Sequence, residues 1–202
     1  MQLTRLYGEW SPLPVEVVES ILDEDDPGWR DHLTLQARPL GVASIGQVHG
    51  ARDQSGKLWV VKVVKPQART RLTQSIAAIR QVLRTLKPLA LTHTAKRLIS
   101  ETSMLVASLE KELDLSLEAA NIQRIQKVYI DKKQSILKIP TVWTELSSSR
   151  ILVLERFEGV RLKDSVEQKV VLSDAERRKL AQSVLYELLV QVFEDGIFHG
   201  DP

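Results

Sequence analysis

The spacing of hydrophobic positions divides the chain into helix-like and strand-like segments. Residues 11–23 begin with a serine and two prolines and continue with apolar residues at helical spacing, which predicts a short helix that stops in an acidic run at residues 24–28. Residues 29–38 are mixed and lead into a first strand. A second strand is predicted over residues 57–64, after a turn at Ser55-Gly56.

The pattern becomes helical after Lys65-Pro66 and returns to strand character after residue 136. One apolar stripe precedes Pro88, which interrupts the helix, and a second stripe predicts one continuous helix from about His93 to Val128. Residues 136–144 and 150–157 are typical of strands and would extend the sheet. A last helix is predicted to begin at a capping box formed by Ser173 and Glu176 and to end near Gly196.

This order of elements predicts an α+β fold with two parts. A sheet-bearing lobe would occupy residues 1–157, a hinge residues 158–170, and the beginning of a helical lobe residues 171–202.

Composition excludes several classes of protein. The net charge is only +2 and the basic residues look scattered rather than gathered with aromatic residues, so nucleic acid is not an expected partner. The lack of cysteine excludes a disulfide scaffold, a thiolate nucleophile and a Cys-bound zinc site. No signal peptide and no apolar run long enough to span a membrane is present, so we expect a soluble protein, cytoplasmic or peripheral to a membrane.

The segment Pro39-Leu-Gly-Val-Ala-Ser-Ile-Gly-Gln-Val-His49 is followed by a strand that carries Lys62. Small side chains let backbone N–H groups approach phosphate oxygens, and a strand lysine supplies a fixed charge beside them, which is the chemistry of a nucleotide site. A plain β-turn leading into a hairpin explains the loop equally well. Lys65 competes with Lys62 for the role, and strand alternation places the two lysines on opposite faces.

The whole order of parts is that of a phosphoryl-transfer lobe of the protein-kinase type. Such a lobe needs a phosphate cover, a lysine held by a helix glutamate, a strand leading to a hinge, and an aspartate after a helix. In this chain that aspartate would be Asp201 in His199-Gly-Asp201.

Four segments carry a resemblance to a known family, the ABC1 atypical kinases, also called UbiB or ADCK-like. They are the loop of residues 39–49, Val60-Val-Lys-Val-Val-Lys-Pro66, Glu112-Leu-Asp-Leu-Ser-Leu-Glu-Ala-Ala-Asn121 and His199-Gly-Asp-Pro202. The resemblance implies a protein-kinase-like N-lobe, an antiparallel sheet with αC-type and inserted helices, followed by the first helix of the C-lobe.

The resemblance also implies roles for individual residues. Ala43, Ser44 and Gln47 would belong to the family's alanine-rich loop over the nucleotide, and Lys62 would contact the α- and β-phosphates with Glu118 as its partner.

The resemblance assigns roles to further residues, each of which also has an ordinary structural explanation. Glu112 and Asp114 match a Glu-x-Asp motif thought to lie at the active site, although an acidic helix face explains them as well. Glu155 and Phe157 would form a hinge that reads the adenine through backbone groups, or simply end a strand. His199 would support the catalytic loop, and Asp201 would orient or deprotonate an acceptor.

The resemblance further implies ATP or ADP as ligand, Mg²⁺ as cofactor, and a role in ubiquinone and isoprenoid-lipid metabolism. In the family, an Asn and an Asp that hold Mg²⁺ follow the His-Gly-Asp motif, whereas the sequence ends at Pro202, so we expect a truncated and catalytically impaired member. Expected partners are adenine nucleotide and a missing C-lobe, another protein or a lipid surface. The alternatives are a non-enzymatic interaction module, or half of a split kinase-like protein, and a small-molecule phosphotransferase.

Overall fold

The computed structural model describes residues 11–89, 91–130, 136–159 and 172–197. These ranges contain helices α1 (Val15–Asp25), α2 (Pro66–Leu86), α3 (His93–Lys111), α4 (Leu115–Tyr129) and α5 (Asp174–Val190), and strands β1 (Leu33–Val42), β2 (Gly46–Asp53), β3 (Leu58–Val64) and β4 (Ile151–Glu155). Single 3₁₀ turns occur at Trp29–Asp31, Lys87–Leu89 and Thr144–Leu146. The predicted α+β class is confirmed.

The four strands form one antiparallel sheet in the order β1-β2-β3-β4. Val61 at the centre of β3 lies opposite His49 of β2 and Val153 of β4. The pairing of β1 with β2 shifts register on both sides of Pro39, which is tolerated because β1 lies at the edge of the sheet and proline has no N–H to donate. Where we predicted one strand before the turn at Gly56, the structure has two.

The hydrophobic core lies between α1 and one face of this sheet. Alternate residues of the strands are buried there together with the apolar side of α1 and the turn that follows it. The core includes Val18, Ile21, Leu22, Trp29, Trp59, Val61, Val63, Ile151 and Val153. The indole of Trp59 packs against that of Trp143 with 4.6 Å between ring centroids. This packing fixes which face of β3 remains available for a site.

Arg150 joins the end of α1 to the start of β4. Its guanidinium contacts the carboxylate of Asp25 and lies 2.8 Å from that of Glu24. Burial alone would raise the pKa of Asp25, but hydrogen bonds from Arg150 and Ser148 outweigh it and hold that pKa below its usual value. The same contacts raise the pKa of Arg150.

Helices α2 and α3 form an antiparallel hairpin. Ile76 of α2 and Val106 of α3 are the buried residues of these helices, and Arg80 forms an ion pair with Glu110 across them. The N-terminus of α3 is capped by Thr92, whose hydroxyl accepts a hydrogen bond from the amide of Ala95.

Two further secondary-structure predictions are wrong. The predicted helix over residues 93–128 is two helices, because the chain breaks at Glu112–Asp114 and Asp114 caps a new one by accepting from the amide of Ser116 at 3.0 Å. Within residues 136–144 the structure describes no strand, only a single bridge from Val142 to Leu154. Next to this bridge, the amide of Trp143 donates a hydrogen bond to the carbonyl of Val153 at 2.9 Å, outside a regular strand.

Backbone contacts divide the chain into two compact units, Met1–Ala120 with Val142–Glu155, and Asn121–Thr141 with Arg156–Pro202. In the second unit α5 begins at the predicted capping box of Ser173 and Glu176. A π-helical segment, Gln191–Asp195, follows α5 and ends at left-handed Gly196, with φ of 62°. Most of the predicted hinge at residues 158–170 lies outside the described residues, so the domain boundaries stay a prediction. No helix in the described ranges is long and apolar enough to cross a membrane.

Candidate functional site

Lys62 lies on the face of the sheet opposite the core. Its neighbours along β3, Val61 and Val63, are fully buried against α1, so alternation directs Lys62 to the other face. The residues beside it in the ladder are Val48 of β2 and Leu152 of β4. A single cation therefore lies on an otherwise apolar part of this face.

Glu118 of α4 is the partner of Lys62. The distance from Lys62 Nζ to Glu118 Oε2 is 2.6 Å, and the two side chains are 37% and 41% exposed. An ion pair this exposed contributes no more than about 1 kcal/mol to stability, so its main effect is to hold the ammonium in one place. The ammonium has further hydrogen-bond donors and remains accessible to an anion.

The start of α4 determines where Glu118 lies. Leu115 is 2% exposed, and its amide donates to the carbonyl of Ser149, just before β4, at 3.0 Å. Asp114 caps the helix, and Glu118 follows one turn later. The anchored first turn therefore presents Glu118 to the sheet.

Lys65 does not share this site. It precedes α2, is 8% exposed, and its Nζ donates to the carbonyl of Ser11 at 3.2 Å. Burial lowers the pKa of Lys65. The structure thus brings only one of the two candidate lysines, Lys62, to a helix glutamate.

The predicted phosphate loop is a tight turn between β1 and β2. Ala43, Ser44 and Ile45 are its only residues outside the strands, and the amide of Ala43 donates to the carbonyl of Gly46 at 2.8 Å. A side chain at Gly46 would approach the carbonyl of Val63 to 3.1 Å, which explains a glycine here. Ala43 and Ser44 are exposed.

The turn and Lys62 lie near each other along the sheet. Gly46 pairs with Val64, two residues from Lys62, which is roughly 7 Å along an extended strand. Their nucleotide roles remain predictions.

Gln47 is placed differently from its neighbours in the loop. It is 1% exposed; its Oε1 accepts from the amide of Leu13 at 2.7 Å, and its Nε2 donates to the carbonyl of Leu13 at 3.1 Å. The same Nε2 lies 2.6 Å from Nε2 of His49. Any contact of Gln47 with a nucleotide would therefore use its backbone.

His49 was missed in the sequence reasoning and completes this buried chain of hydrogen bonds. Because the Gln47 amide nitrogen can only donate, His49 Nε2 accepts, and Nδ1–H donates to the carbonyl of Gln36 at 2.7 Å. The signal was the alternation of Gln47, His49 and Ala51, which places all three on the core face.

Glu112 and Asp114 lie in the break between α3 and α4. Glu112 is the C-cap that follows α3 and Asp114 is the N-cap of α4, so they do not form the acidic helix face of the alternative interpretation. Asp114 Oδ1 also accepts from the hydroxyl of Ser116 at 2.5 Å. In the described ranges, no group of three metal-ligating side chains is present.

The remaining site predictions lie elsewhere. Glu155 ends β4, pairs with Trp59 in the ladder, and contacts Lys57 Nζ at 3.1 Å. Phe157 belongs to the second unit and is 46% exposed. His199 and Asp201 lie outside the described residues, so their roles stay predictions.

Comparison with known proteins identifies the fold. The chain superposes on the structure of the Rv3197–erythromycin complex from Mycobacterium tuberculosis with a TM-score of 0.73 and 30% identity, over 94% of this chain and 46% of that one. The latter has the ABC1-family kinase-like fold, which confirms the predicted class.

Proteins of similar sequence point to the same family. A probable protein kinase UbiB from Pseudomonas putida is 32% identical over 83% of this chain and 30% of its own length. An uncharacterized protein of Synechocystis sp. is 28% identical over 99% of this chain and 51% of its own length. The chain thus spans about half or less of the length of these relatives. Residues 9–202 match the ABC1 atypical kinase-like domain, and the chain belongs to that family.

Proposed function

We propose that the face of the sheet around Lys62 binds the phosphates of an adenine nucleotide, ATP or ADP. The observation that carries the proposal is the contact of 2.6 Å between Lys62 Nζ and Glu118 Oε2. In kinase-like sites, a strand lysine held by a helix glutamate contacts the phosphates, and its charge is useful only if its position is fixed.

Three features of the site fit a nucleotide. Lys62 is accessible, unlike Lys65. The exposed turn at Ala43 and Ser44 leads into Gly46, whose partner Val64 is two residues from Lys62. Val48, beside Lys62 in the ladder, is partly exposed and offers an apolar surface for a base or ribose, whereas Leu152 on the other side is fully buried. The expected contact of the adenine with the backbone of residues 155–157 stays a prediction, since Phe157 belongs to the second unit.

Mg²⁺ would neutralise charge on the phosphates when bound. The described residues do not supply a site for it by themselves, since Asp114 is engaged as a helix cap and no cluster of ligands is found among them. The resemblance implies its ligands after Asp201. The proposal for the described residues is therefore nucleotide binding.

Calorimetric titration with ADP, with and without Mg²⁺, tests the proposal. A charge-assisted hydrogen bond to phosphate contributes about 1.5–3 kcal/mol, so Lys62→Ala should weaken ADP binding by roughly 10- to 150-fold. Glu118→Gln should weaken it by a smaller factor, because the ammonium remains but is no longer held.

The matched control is Lys57→Ala. Lys57 also pairs with a glutamate, Glu155, but its ammonium lies over the Trp59 ring on the core face of the sheet. We expect ADP affinity close to that of the parent. Equal losses in the Lys57→Ala and Lys62→Ala variants, or no heat of binding for the parent at millimolar ADP, would refute the proposal.

We extend the proposal to the metabolic role that the resemblance implies, in ubiquinone or a related isoprenoid lipid. Membership of the ABC1 family and the similarity to a probable protein kinase UbiB from Pseudomonas putida support it. Quinone content tests the role in a bacterium whose UbiB carries this chain in place of the segment that it matches. Quinone that is retained and depends on Lys62 supports the role, and quinone that is lost although the hybrid protein is folded contradicts it.

A further inference from the structure

The junction between α3 and α4 redirects two backbone amides. In a continuous helix, the amides of Leu115 and Ser116 would each donate to the carbonyl four residues earlier. In the structure, the amide of Leu115 donates instead to the carbonyl of Ser149 at 3.0 Å. The amide of Ser116 donates to Oδ1 of Asp114, also at 3.0 Å. These two substitute acceptors hold the break between the helices.

The local sequence favours the opposite arrangement, a continuous helix. The apolar stripe that predicts one helix over residues 93–128 passes through the junction as Leu105, Leu109, Leu113 and Leu117. In the structure these leucines do not share one environment, since Leu105 is 61% and Leu117 42% exposed, whereas Leu113 is 7% exposed. The contacts at the junction therefore outweigh a local preference for one helix.

The carboxylate of Asp114 is the side-chain part of this competition. Aspartate is a weak helix former but a strong N-cap, because its oxygen accepts hydrogen bonds from the amides that begin a helix. Oδ1 of Asp114 also accepts from the hydroxyl of Ser116 at 2.5 Å. In the part of the chain that the structure describes, Asp114 belongs to no group of three metal-ligating side chains. Its contacts are thus those of a helix cap.

The break decides where Glu118 lies. Glu118 follows Asp114 by four residues, in the first turn of α4. Ser149, which holds the start of that turn, lies three residues before Leu152, the residue of β4 that pairs with Lys62. The same strand therefore aligns both members of the ion pair. If α3 and α4 were one helix, the axis of α3 rather than β4 would decide where Glu118 lies.

We propose that Asp114 is a positioning residue for the nucleotide site. Its carboxylate keeps α3 and α4 as two helices and thereby holds Glu118 on Lys62. Without it, the junction closes into one helix and the ammonium loses its partner. The proposal rests on the proposed function, because it assigns to Asp114 an effect on nucleotide affinity. It differs from a metal-binding role, in which Asp114 would act directly on Mg²⁺.

Calorimetric titration of Asp114 variants with ADP tests the effect on the site. An N-cap oxygen shifts a helix equilibrium by a factor of about five, so Asp114→Ala should weaken ADP binding by roughly two- to fivefold. Asp114→Asn and Asp114→Ser keep an oxygen that can cap the helix, and both should bind ADP like the parent. The loss in Asp114→Ala should be the same with Mg²⁺ and without it.

A double-mutant cycle shows whether Asp114 acts through Glu118. In the Glu118→Gln background, Asp114→Ala should cause no further loss of affinity, because the ion pair that it supports is already gone. The matched control is Thr92→Ala, which removes the N-cap of α3 and should leave ADP affinity unchanged. A further loss in the double variant, an equal loss in the control, or a loss that appears only with Mg²⁺ would overturn the proposal.

The junction itself is followed by a distance that does not depend on nucleotide. The chain has no cysteine, so Ser100→Cys in α3 and Ala120→Cys in α4, both at exposed positions, can carry a pair of spin labels. A continuous helix would separate the two Cα atoms by about 30 Å, and a break shortens this distance. The labelled parent and Asp114→Asn should show the shorter distance, and Asp114→Ala should add a population near 30 Å.

Failure of this proposal is distinguishable from failure of nucleotide binding. If the parent binds no ADP, the proposed function fails, and the distances alone confirm or overturn the role of Asp114 in the junction. If Lys62→Ala loses affinity but Asp114→Ala keeps both the affinity and the distance of the parent, nucleotide binding stands and the role of Asp114 is refuted. Circular dichroism melting shows whether each variant is folded. Should Asp114→Ala not fold, Asp114→Asn still decides, because weakened ADP binding by this variant in a folded state overturns the proposal.

Discussion

Replacing Gln47 with leucine tests whether this residue of the family loop supports the fold or the nucleotide. Leucine is of similar size and can occupy the same buried position, but it has no polar atoms. The change therefore removes the two hydrogen bonds to the backbone of Leu13 and the one to His49, with little change in packing.

The cost follows from those contacts. Three hydrogen bonds at about 1 kcal/mol each sum to about 3 kcal/mol, and the acceptor left on His49 is completely buried. The apolar surface of the new leucine offsets part of this loss. We expect Gln47→Leu to lower the free energy of unfolding by about 2–4 kcal/mol, which corresponds to roughly 5–15 °C in Tm for a unit of this size.

Thermal unfolding followed by circular dichroism, with ADP titration on the same samples, measures both effects. Ser44→Ala, in the exposed turn of the same loop, is the control and should change stability by less than about 0.5 kcal/mol. We expect Gln47→Leu to bind ADP with nearly the parent affinity at temperatures where it is folded. A variant with unchanged Tm and lost ADP binding would refute the reasoning.

Three further predictions concern other contacts. Hydrogen bonds from the hydroxyl of Ser55, the indole of Trp59 and backbone amides lower the pKa of Asp53 to about 2 from the usual 3.8. The contribution of the Asp53 carboxylate to the free energy of unfolding is therefore fully present above pH 3.8 and is lost as the pH falls toward 2. A titration midpoint near pH 4 for this carboxyl, measured by NMR, would contradict these hydrogen bonds. Arg150→Ala should lower the free energy of unfolding, measured with denaturant, by about 1–3 kcal/mol, because the partly buried Asp25 loses its charged hydrogen bonds. A loss below about 0.5 kcal/mol would show that the ion pair is solvated. Ser173→Ala removes the N-cap of α5 and should lower the stability of this helix by about 1 kcal/mol. The loss should appear as faster amide exchange in the first turn of α5, and unchanged exchange would contradict the capping box.

Sequence reasoning succeeded where the signal was local. Alternation at β3 placed Lys62 and Lys65 on different sides, and the capping box at Ser173 marked the start of α5 correctly. It failed where two local signals competed: the apolar stripe across residues 93–128 continues through Asp114, but the carboxylate of that residue begins a new helix. The β-rich composition of residues 136–144 likewise predicted a strand that the structure does not have, since Val142 and Trp143 contact β4 only through an isolated bridge and a single hydrogen bond.

Local patterns in the sequence were enough to predict the class of fold, the family and the candidate site residues, because periodicity, caps and motif spacing are properties of neighbouring positions. The choice between Lys62 and Lys65 depends on the tertiary structure, since a partner 56 residues away, Glu118, has no local signal. The burial of Gln47 likewise depends on Leu13, which folding brings to it from 34 residues away. Hydrophobic burial orients the strands, and this orientation decides which polar side chains remain available for chemistry.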